Sequence, residues 1–550
     1  MIFLMALKLI LHEENKKILL MKNVILKTTQ YSLALAGLCL STNVVSQTKR
    51  PNILVIMGDD ISRNSMGAYG CKYIKTPNFD RIANEGVLFT NAYVCNPKCS
   101  PSRASLLTGR YSWQLEEACN HIPVMPPKFT FYPEQLEKSG YDIGFTGKGW
   151  SPGVFYGKHN PAGWEYNDIS LTPPYKGISK KDYASNFEAY LDKRDANKPF
   201  CFWFGTHEAH RKYEKDSYKR EGKDLSKVTV QEFLPDNELV RSDLADYGVE
   251  VEYHDMMIGK ALETLEKRGL LDNTIIIATS DQGMPFPRVK GQIYDEDFHE
   301  AFVVRWGDKI KPGRVVTDFV NFPDVAPTLM EAAGLKPHKQ MTGKSFLNLL
   351  LSDKSGRIDK NRDFSLVGKE RHDMGRIEGD QIAVGYPVRA IRTDKYLYSH
   401  NYKENRWPAG DPQYGYNNTD DSPTKTYLTE LKETDPDYKY YLLAFGKRPA
   451  DELFDIENDP DCVNNLASDP KYASVVKELK AKMDKALKIQ KDPRALGKGD
   501  IFDYYPQARE SKLKSMYKEK YYNMFDKFYE KFGYKTVPMP EGWVEKDGEN

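Results

Sequence analysis

The chain has 550 residues, enough to bury a large core, and its 79 Lys and Arg against 78 Asp and Glu leave a formal net charge of +1. That balance gives no global field for nucleic acid or an acidic membrane surface, so an anionic ligand must be met by a local basic pocket. Aromatic residues make up 12%, 35 of them tyrosines, a composition compatible with stacking on sugars and equally with ordinary packing.

The N-terminus has two candidate starts. Residues 1–20, MIFLMALKLILHEENKKILL, follow no targeting pattern. From Met21 the order is basic Lys22 and Lys27, apolar YSLALAGLCL, then STNVVSQ, which reads as a secretory signal with Val44 and Ser46 before a cut near Gln47. Leu38 stands where lipid attachment at Cys39 would need a small residue. The expectation is a free periplasmic or secreted product starting at Met21, with residues 1–46 as upstream segment and signal. No segment reaches the roughly 20 apolar residues of a membrane span. Without Cys39 six cysteines remain, Cys71, Cys95, Cys99, Cys119, Cys201 and Cys462, room for one or two bridges but too sparse for a disulfide framework or a cysteine-held zinc.

In chain order, RPNILVIMGDD predicts a buried strand over Ile53 to Met57 that stops at Asp59 and Asp60. TPNFDRIANEG predicts a helix starting at Pro77 and stopped by Gly86. NPKCSPSRASLLTG, residues 96–109, places Cys99 at a helix start, where peptide dipoles and Arg103 would make its thiol acidic and accessible. KPFCFWFGTHEAH is a strand ending at His207 and His210, and LADYGVEVEYHDMMIGKALETLEKRG is a long amphipathic helix closed by Gly269. NTIIIATSDQG is another buried strand, ending at Asp281 and Gln282. Chemistry in α/β sheets gathers beyond the carboxyl ends of strands, so two ends carrying acidic groups point to one metal.

This alternation predicts a layered α/β domain over 50–375. Beyond it, VRAIRTDKYLYSHNY, the loop WPAGDPQYGYNNTDDSPTK and a closing strand, turn and helix predict a smaller α+β subdomain over 376–500 with a short antiparallel sheet. The tail over 501–550 mixes lysines and aromatics at helical spacing, which predicts helices packed on the main domain.

Cys99-Ser100-Pro101-Ser102-Arg103 with Thr108-Gly109-Arg110 resembles the formylglycine signature of the sulfatase family within the alkaline phosphatase superfamily. PNILVIMGDD, TPNFDRIANEGVLFTNAY, SGYDIGFTGKGW, TSDQG, FVNFPDVAPTLMEAAG and TGKSFLNLL add to it in order, so the resemblance runs from about residue 50 to about 490. THEAHR, SDQGMPFP, GYPVRAIRT and ELFDIENDPDCVNNLASDP are most similar to the heparan N-sulfatase branch.

The resemblance implies an alkaline phosphatase-like sandwich, a large and mostly parallel sheet flanked by helices. It implies that a maturation enzyme oxidises Cys99 to formylglycine, whose hydrate attacks sulfur with one hydroxyl and expels sulfate with the other. A single calcium ion would lie on Asp59, Asp60, Cys99, Asp281 and Gln282. Arg103 would stabilise the nucleophile, Lys148 and Lys290 would hold sulfate oxygens, with Arg288 as the rival of Lys290, and His207 would protonate the leaving group. His210, Arg371 and His372 are the candidate substrate contacts, with a structural role for His210 and a salt bridge at the domain join for Arg371 and His372 as the alternative readings. The sequence departs from its relatives at Gln282, where Asn is commoner, and at Trp150, close to where many of them carry a histidine.

The substrate implied is a sulfated amino sugar or glycan, such as heparan or chondroitin/dermatan sulfate. A phosphoester or phosphonate hydrolase and a silent glycan binder would share much of this pattern.

Overall fold

Ile53, Val55 and Met57 belong to one hydrophobic core, while Leu54 and Ile56, between them in sequence, belong to another. The same division runs along the second acidic strand, with Ile275 and Ile277 in the first core and Ile276 and Ala278 in the second. Such uninterrupted apolar strands are buried on both faces, which requires helices on each side of the sheet. In the computed structural model, which describes residues 1–39 and 50–539, this is the arrangement found.

The central sheet has nine strands: β1 (Asn52–Gly58), β2 (Val87–Tyr93), β3 (Asp142–Gly147), β4 (Trp164–Glu165), β5 (Phe200–Gly205), β6 (Thr274–Ser280), β7 (His299–Arg305), β8 (Arg314–Val316) and β9 (Val320–Asn321). Their order is β4-β3-β5-β1-β6-β7-β2-β8, with β9 also on β2. All pairings are parallel except those of β7 with β6 and β2. β1 lies at the middle, its Met57 opposite Gly205 on one side and Thr279 on the other. The carboxyl ends of β5, β1 and β6 therefore open together. The mostly parallel sheet expected from the sequence is present.

The first unit, residues 1–49, carries helix α1 (Ile2–Cys39). The expected cleavage site around Val44 to Gln47 lies outside the described residues. Among the described residues no helix is long and apolar enough to cross a membrane. From Arg50 on, the described residues form a second unit.

Helix α2 (Pro77–Asn84) starts at the predicted proline and packs Phe79, Ile82 and Ala83 into the second core. Glu85 caps it, and Gly86 instead permits a close approach to β7, since a Cβ there would lie 2.1 Å from the Val304 carbonyl oxygen. Helix α3 (Cys99–Thr108) lies on the opposite face, with Ala104, Leu106 and Leu107 in the first core. The long helix Glu238–Lys267 ends as expected, Gly269 following at φ +63.

A second, four-stranded antiparallel sheet joins β10 (Phe364–Lys369), β13 (Val388–Thr393), β14 (Tyr396–Asn401) and β15 (Asp451–Asp455), beside a ribbon of β11 (Ile377–Glu378) and β12 (Gln381–Ile382). This sheet begins at Phe364, ahead of the boundary expected at 375. The helix Ala473–Ile489 covers it through Leu479, Met483 and Leu487, in a core shared with Phe502, Tyr505 and Phe528 of the tail. Trp113 and Cys119 from the first domain join the same core. The tail's helices are Ile501–Tyr504, Glu510–Tyr517 and Met524–Phe532. Cys71, Cys95, Cys99, Cys119, Cys201 and Cys462 are all unpaired, so the bridges that the sequence allowed do not form.

Candidate active site

Beyond Gly58 the backbone of β1 turns sharply. Asp60 adopts φ 65, a left-handed conformation uncommon for a residue with a side chain, and its N–H donates to Asp281 Oδ1 at 3.2 Å. Asp59 N–H donates to the Glu208 carbonyl at 3.0 Å, and Ile61 N–H to Ser280 Oγ at 2.9 Å. The ends of three neighbouring strands are thus tied to one another, and their acidic residues meet.

Helix α3 brings the other components. Cys99 begins it, 2% exposed, with Sγ 3.6 Å from Asp59 Oδ1 and receiving a 3.1 Å hydrogen bond from Gln282 Nε2. One turn on, Arg103 Nε donates to Asp281 Oδ2 at 2.8 Å, and its Nη2 lies 3.5 Å from Asp59 Oδ1. Arg103 Nη1 donates to the carbonyls of Lys148 (2.9 Å) and Gly149 (3.1 Å), fixing the turn after β3. In that turn Gly147 lies at φ +70, and a Cβ there would stand 1.8 Å from the Gly205 carbonyl oxygen. Only glycine allows β3 and β5 to approach so closely while delivering Lys148. Lys148 Nζ lies 2.5 Å from Asp59 Oδ2, and Lys290 Nζ 2.6 Å from Asp60 Oδ2.

Three buried carboxylates and three buried cations therefore surround one point. Asp59 is held well below the usual carboxylate range: burial opposes this, but Lys148 and Arg103 outweigh it. Asp281 is pushed up to about 7, by burial first and by Asp59, with Arg103 compensating in part. Negative charge at Asp281 is thus incompletely balanced by protein groups.

A divalent ion fits this set. Ligand atoms of Asp59, Cys99 and Asp281 lie within 4.8 Å of one another. Gln282 Nε2 bonds Asp60 Oδ1, while its Oε1 is buried with no partner, an amide oxygen left over for a cation. Carboxylate and amide oxygens are the donors a hard cation prefers.

The acidic, accessible thiol expected at the helix start is not what the fold makes. Burial first, then Asp59 and Asp281, push Cys99 up to about 12 against the pull of Lys148 and Lys290. Desolvation and two neighbouring carboxylates outweigh the helix dipole, and an unmodified thiol here stays protonated at neutral pH.

The histidines divide. His207 is brought down to about 3, chiefly by burial and then by Lys181 and Lys148, and its Nε2 is buried without a hydrogen-bond partner. His210 has a third of its side chain exposed, Nδ1 2.7 Å from the Arg211 carbonyl oxygen and Nε2 3.9 Å from Asp60 Oδ2. Both border the charged cluster.

Arg371 and His372 are placed differently from the expected substrate contacts. Arg371 is fully buried, and its guanidinium donates to the carbonyls of Tyr505 (2.7 Å), Pro506 (3.2 Å) and Ala383 (3.4 Å), which anchors the tail. His372 is also fully buried, its ring nitrogens 2.9 Å from the Gly291 carbonyl oxygen and from Asn96 Oδ1. Arg288, the rival of Lys290, points its guanidinium at the carbonyls of Leu443 and Cys462. Trp150 is 2% exposed and donates from Nε1 to the Ser100 carbonyl at 3.1 Å, a packing role against the start of α3.

Asp420 is a site residue that the sequence patterns do not reveal. It comes from the Pro, Gly, Asn and Asp rich loop, yet its Oδ2 lies 2.8 Å from Lys290 Nζ, and Lys290, Lys98 and His210 hold it below the usual carboxylate range despite burial. The only sequence hint is the doubled Asp420-Asp421, a pattern common in solvated loops.

The sulfatase family model matches residues 51–335, and the model described as N-sulphoglucosamine sulphohydrolase, C-terminal, matches residues 289–434. An ulvan-active sulfatase of Formosa agariphila is 28% identical over 498 residues, covering 83% of this chain and 78% of the relative. Human N-sulphoglucosamine sulphohydrolase is 26% identical over 484 residues, covering 82% of this chain and 91% of the relative. Among solved structures, one determined in complex with its substrate D-glucosamine-2-N,6-O-disulfate aligns with TM-score 0.56 at 22% identity, covering 81% of this chain and 99% of that one. The chain belongs to the sulfatase family, most like its heparan N-sulfatase branch, and is a hydrolase of sulfate esters or sulfamates.

Proposed function

We propose that this enzyme removes sulfate from a sulfated amino sugar or glycan of the glycosaminoglycan kind, outside the cytoplasm, with Cys99 converted to formylglycine and one calcium ion in the acidic cluster. The observation that carries this reading is the convergence of Asp59, Asp60, Asp281 and Gln282 on Cys99 beside Lys148, Lys290 and Arg103. The relatives named for sulfated sugars support the substrate class.

A thiol pushed up to about 12 is a poor nucleophile, which supports conversion by a maturation enzyme before folding encloses it. Hydrated formylglycine supplies a hydroxyl nucleophile, and calcium on Asp59, Asp60, Asp281, Gln282 and residue 99 supplies charge neutralisation for a sulfate oxygen. Arg103, held by Asp281, keeps a positive charge beside residue 99. Lys148 and Lys290 place two ammonium groups where sulfate oxygens would lie.

The leaving group needs a proton, which the family resemblance would draw from His207. His207, with its Nε2 buried and unpartnered, and His210, whose Nε2 lies 3.9 Å from Asp60 Oδ2, are the two imidazoles bordering the cluster from which that proton would come.

The test is to incubate the matured protein with calcium and a panel of N-, 2-, 3-, 4- and 6-sulfated amino sugars, measuring free sulfate against Cys99→Ala. Release from one sugar that vanishes in the variant supports the reading and names the linkage. No release from a sample whose peptide mass proves conversion would favour a phosphoester hydrolase or a silent binder.

A further inference from the structure

Beside residue 99, away from the strand ends, the chain assembles a second polar wall that the chemistry above leaves unused. The segment Cys119 to Ile122 lies between the start of α3 and the tail. Ile122 N–H donates to Ser100 Oγ at 3.2 Å, and Ala508 N–H donates to the Ile122 carbonyl at 3.0 Å. Asn120 Nδ2 reaches the Phe502 carbonyl at 2.9 Å, and His121 N–H reaches the Arg371 carbonyl at 3.0 Å. These bonds seat Gln507 and Arg509, which flank Ala508, next to His121 and close to the first turn of α3.

The side chains of this wall lack partners. His121 is 7% exposed and both ring nitrogens are buried without a hydrogen bond; Gln507 is 1% exposed, and its amide oxygen and nitrogen are likewise unpaired. Lys98, 4% exposed and adjacent to Cys99, makes no side-chain hydrogen bond or ion pair among the described residues, and neither does half-buried Arg509. Lys98, Arg509, His372 and Lys290 are the charges that His121 feels, which connects this wall to Lys290 of the cluster. Asp420 and Asp297 are acidic groups that interact with Lys98, Asp420 also pairing with Lys290. Buried polar groups are normally satisfied, so several unpaired ones beside two unpaired cations describe a ligand's counterpart.

We propose that Lys98, His121, Gln507 and Arg509 form a second anion subsite that holds another acidic group of the substrate, a sulfate or a carboxylate, so that the enzyme selects multiply charged sugars. The proposal rests on the sulfatase reading above and adds to it a determinant carried by the tail. Lys98 and His121 lie within the sulfatase match over residues 51–335, whereas Gln507 and Arg509 lie beyond both matched segments, which end at residues 335 and 434.

The test compares kcat/KM for an amino sugar with one sulfate, the same sugar with two, and the same sugar linked to a uronate. The subsite predicts that Arg509→Gln lowers the preference for the doubly charged sugars about tenfold, the loss falling on KM, as for removal of one charge-assisted hydrogen bond. Lys512→Gln, an exposed lysine of the same tail, should keep the preference. The sugar that loses more, disulfated or uronate-linked, identifies the group bound. An unchanged preference in Arg509→Gln overturns the subsite while leaving the sulfatase reading intact. If no sugar is hydrolysed by either protein the sulfatase reading fails, and calorimetric binding of the disulfated sugar decides the subsite alone: about tenfold weaker binding in Arg509→Gln supports it, and equal binding overturns it.

Discussion

Two regions of the molecule bury several charges, and they do so differently. At the second sheet, Arg389 pairs with Asp492 (2.8 and 2.9 Å) and Glu370 (2.8 Å), and Arg494 closes on Glu370 with two bonds of 2.9 and 2.7 Å. Both oxygens of each carboxylate and all three guanidinium nitrogens of Arg389 have a partner there. At the ends of β1 and β6, Asp59, Asp60 and Asp281 face Arg103, Lys148 and Lys290, yet Gln282 Oε1, Arg103 Nη2 and His207 Nε2 lack hydrogen-bond partners. The first network is complete and holds a helix end to a sheet. The second is incomplete, and its unpaired atoms are where a cation and a substrate would complete it.

The difference predicts opposite mutational behaviour. Asp281→Asn should cut sulfate release by at least about 10³-fold while leaving the unfolding midpoint of the calcium-free protein unchanged or raised, because a carboxylate pushed up to about 7 already costs stability when charged. A steep fall in stability would mean that this cluster is as structural as the other. Arg389→Met should do the reverse, losing about 3–5 kcal/mol in urea unfolding because buried carboxylates are left unpaired, while activity per folded molecule persists. Chelation should lower the unfolding midpoint of the wild type, and calcium at about 100 times its dissociation constant should restore about 2.7 kcal/mol, with no such response in Asp281→Asn.

A lone buried carboxylate sharpens the contrast with a smaller effect. Glu117 Oε2 has no partner, and burial pushes this residue up to about 7. From the ordinary value of 4.5 to about pH 7 the folded chain holds a proton that the unfolded chain has released, so stability falls as pH rises through that window. Glu117→Gln should therefore match the wild type near pH 4 and exceed it by about 1–3 kcal/mol near pH 8 in thermal or urea unfolding.

The core strands are legible in the sequence because Ile53 to Met57 and Ile275 to Ala278 are unbroken apolar runs that only a two-faced burial explains. Asp59, Asp60, Asp281 and Gln282 are legible for the same reason, since they follow such runs directly. Asp420 is not, because it lies in a loop without periodicity that reaches Lys290 only through tertiary packing. Arg371 and His372 are read from the sequence as substrate contacts, but their partners are set by the tail and by Gly291, remote along the chain. The acidity of Cys99 is misjudged from sequence because local dipole and neighbour arguments omit desolvation and the carboxylates contributed by distant strands. Helix and strand patterns reveal which residues reach the site, and long-range packing decides their protonation and partners.

The most direct test of the central claim is to prepare samples with graded conversion of Cys99, quantified by peptide mass, and measure sulfate release from each in calcium. Release proportional to the converted fraction, reaching zero in unconverted protein, is the predicted result. Full release from protein whose Cys99 remains a thiol would contradict the account.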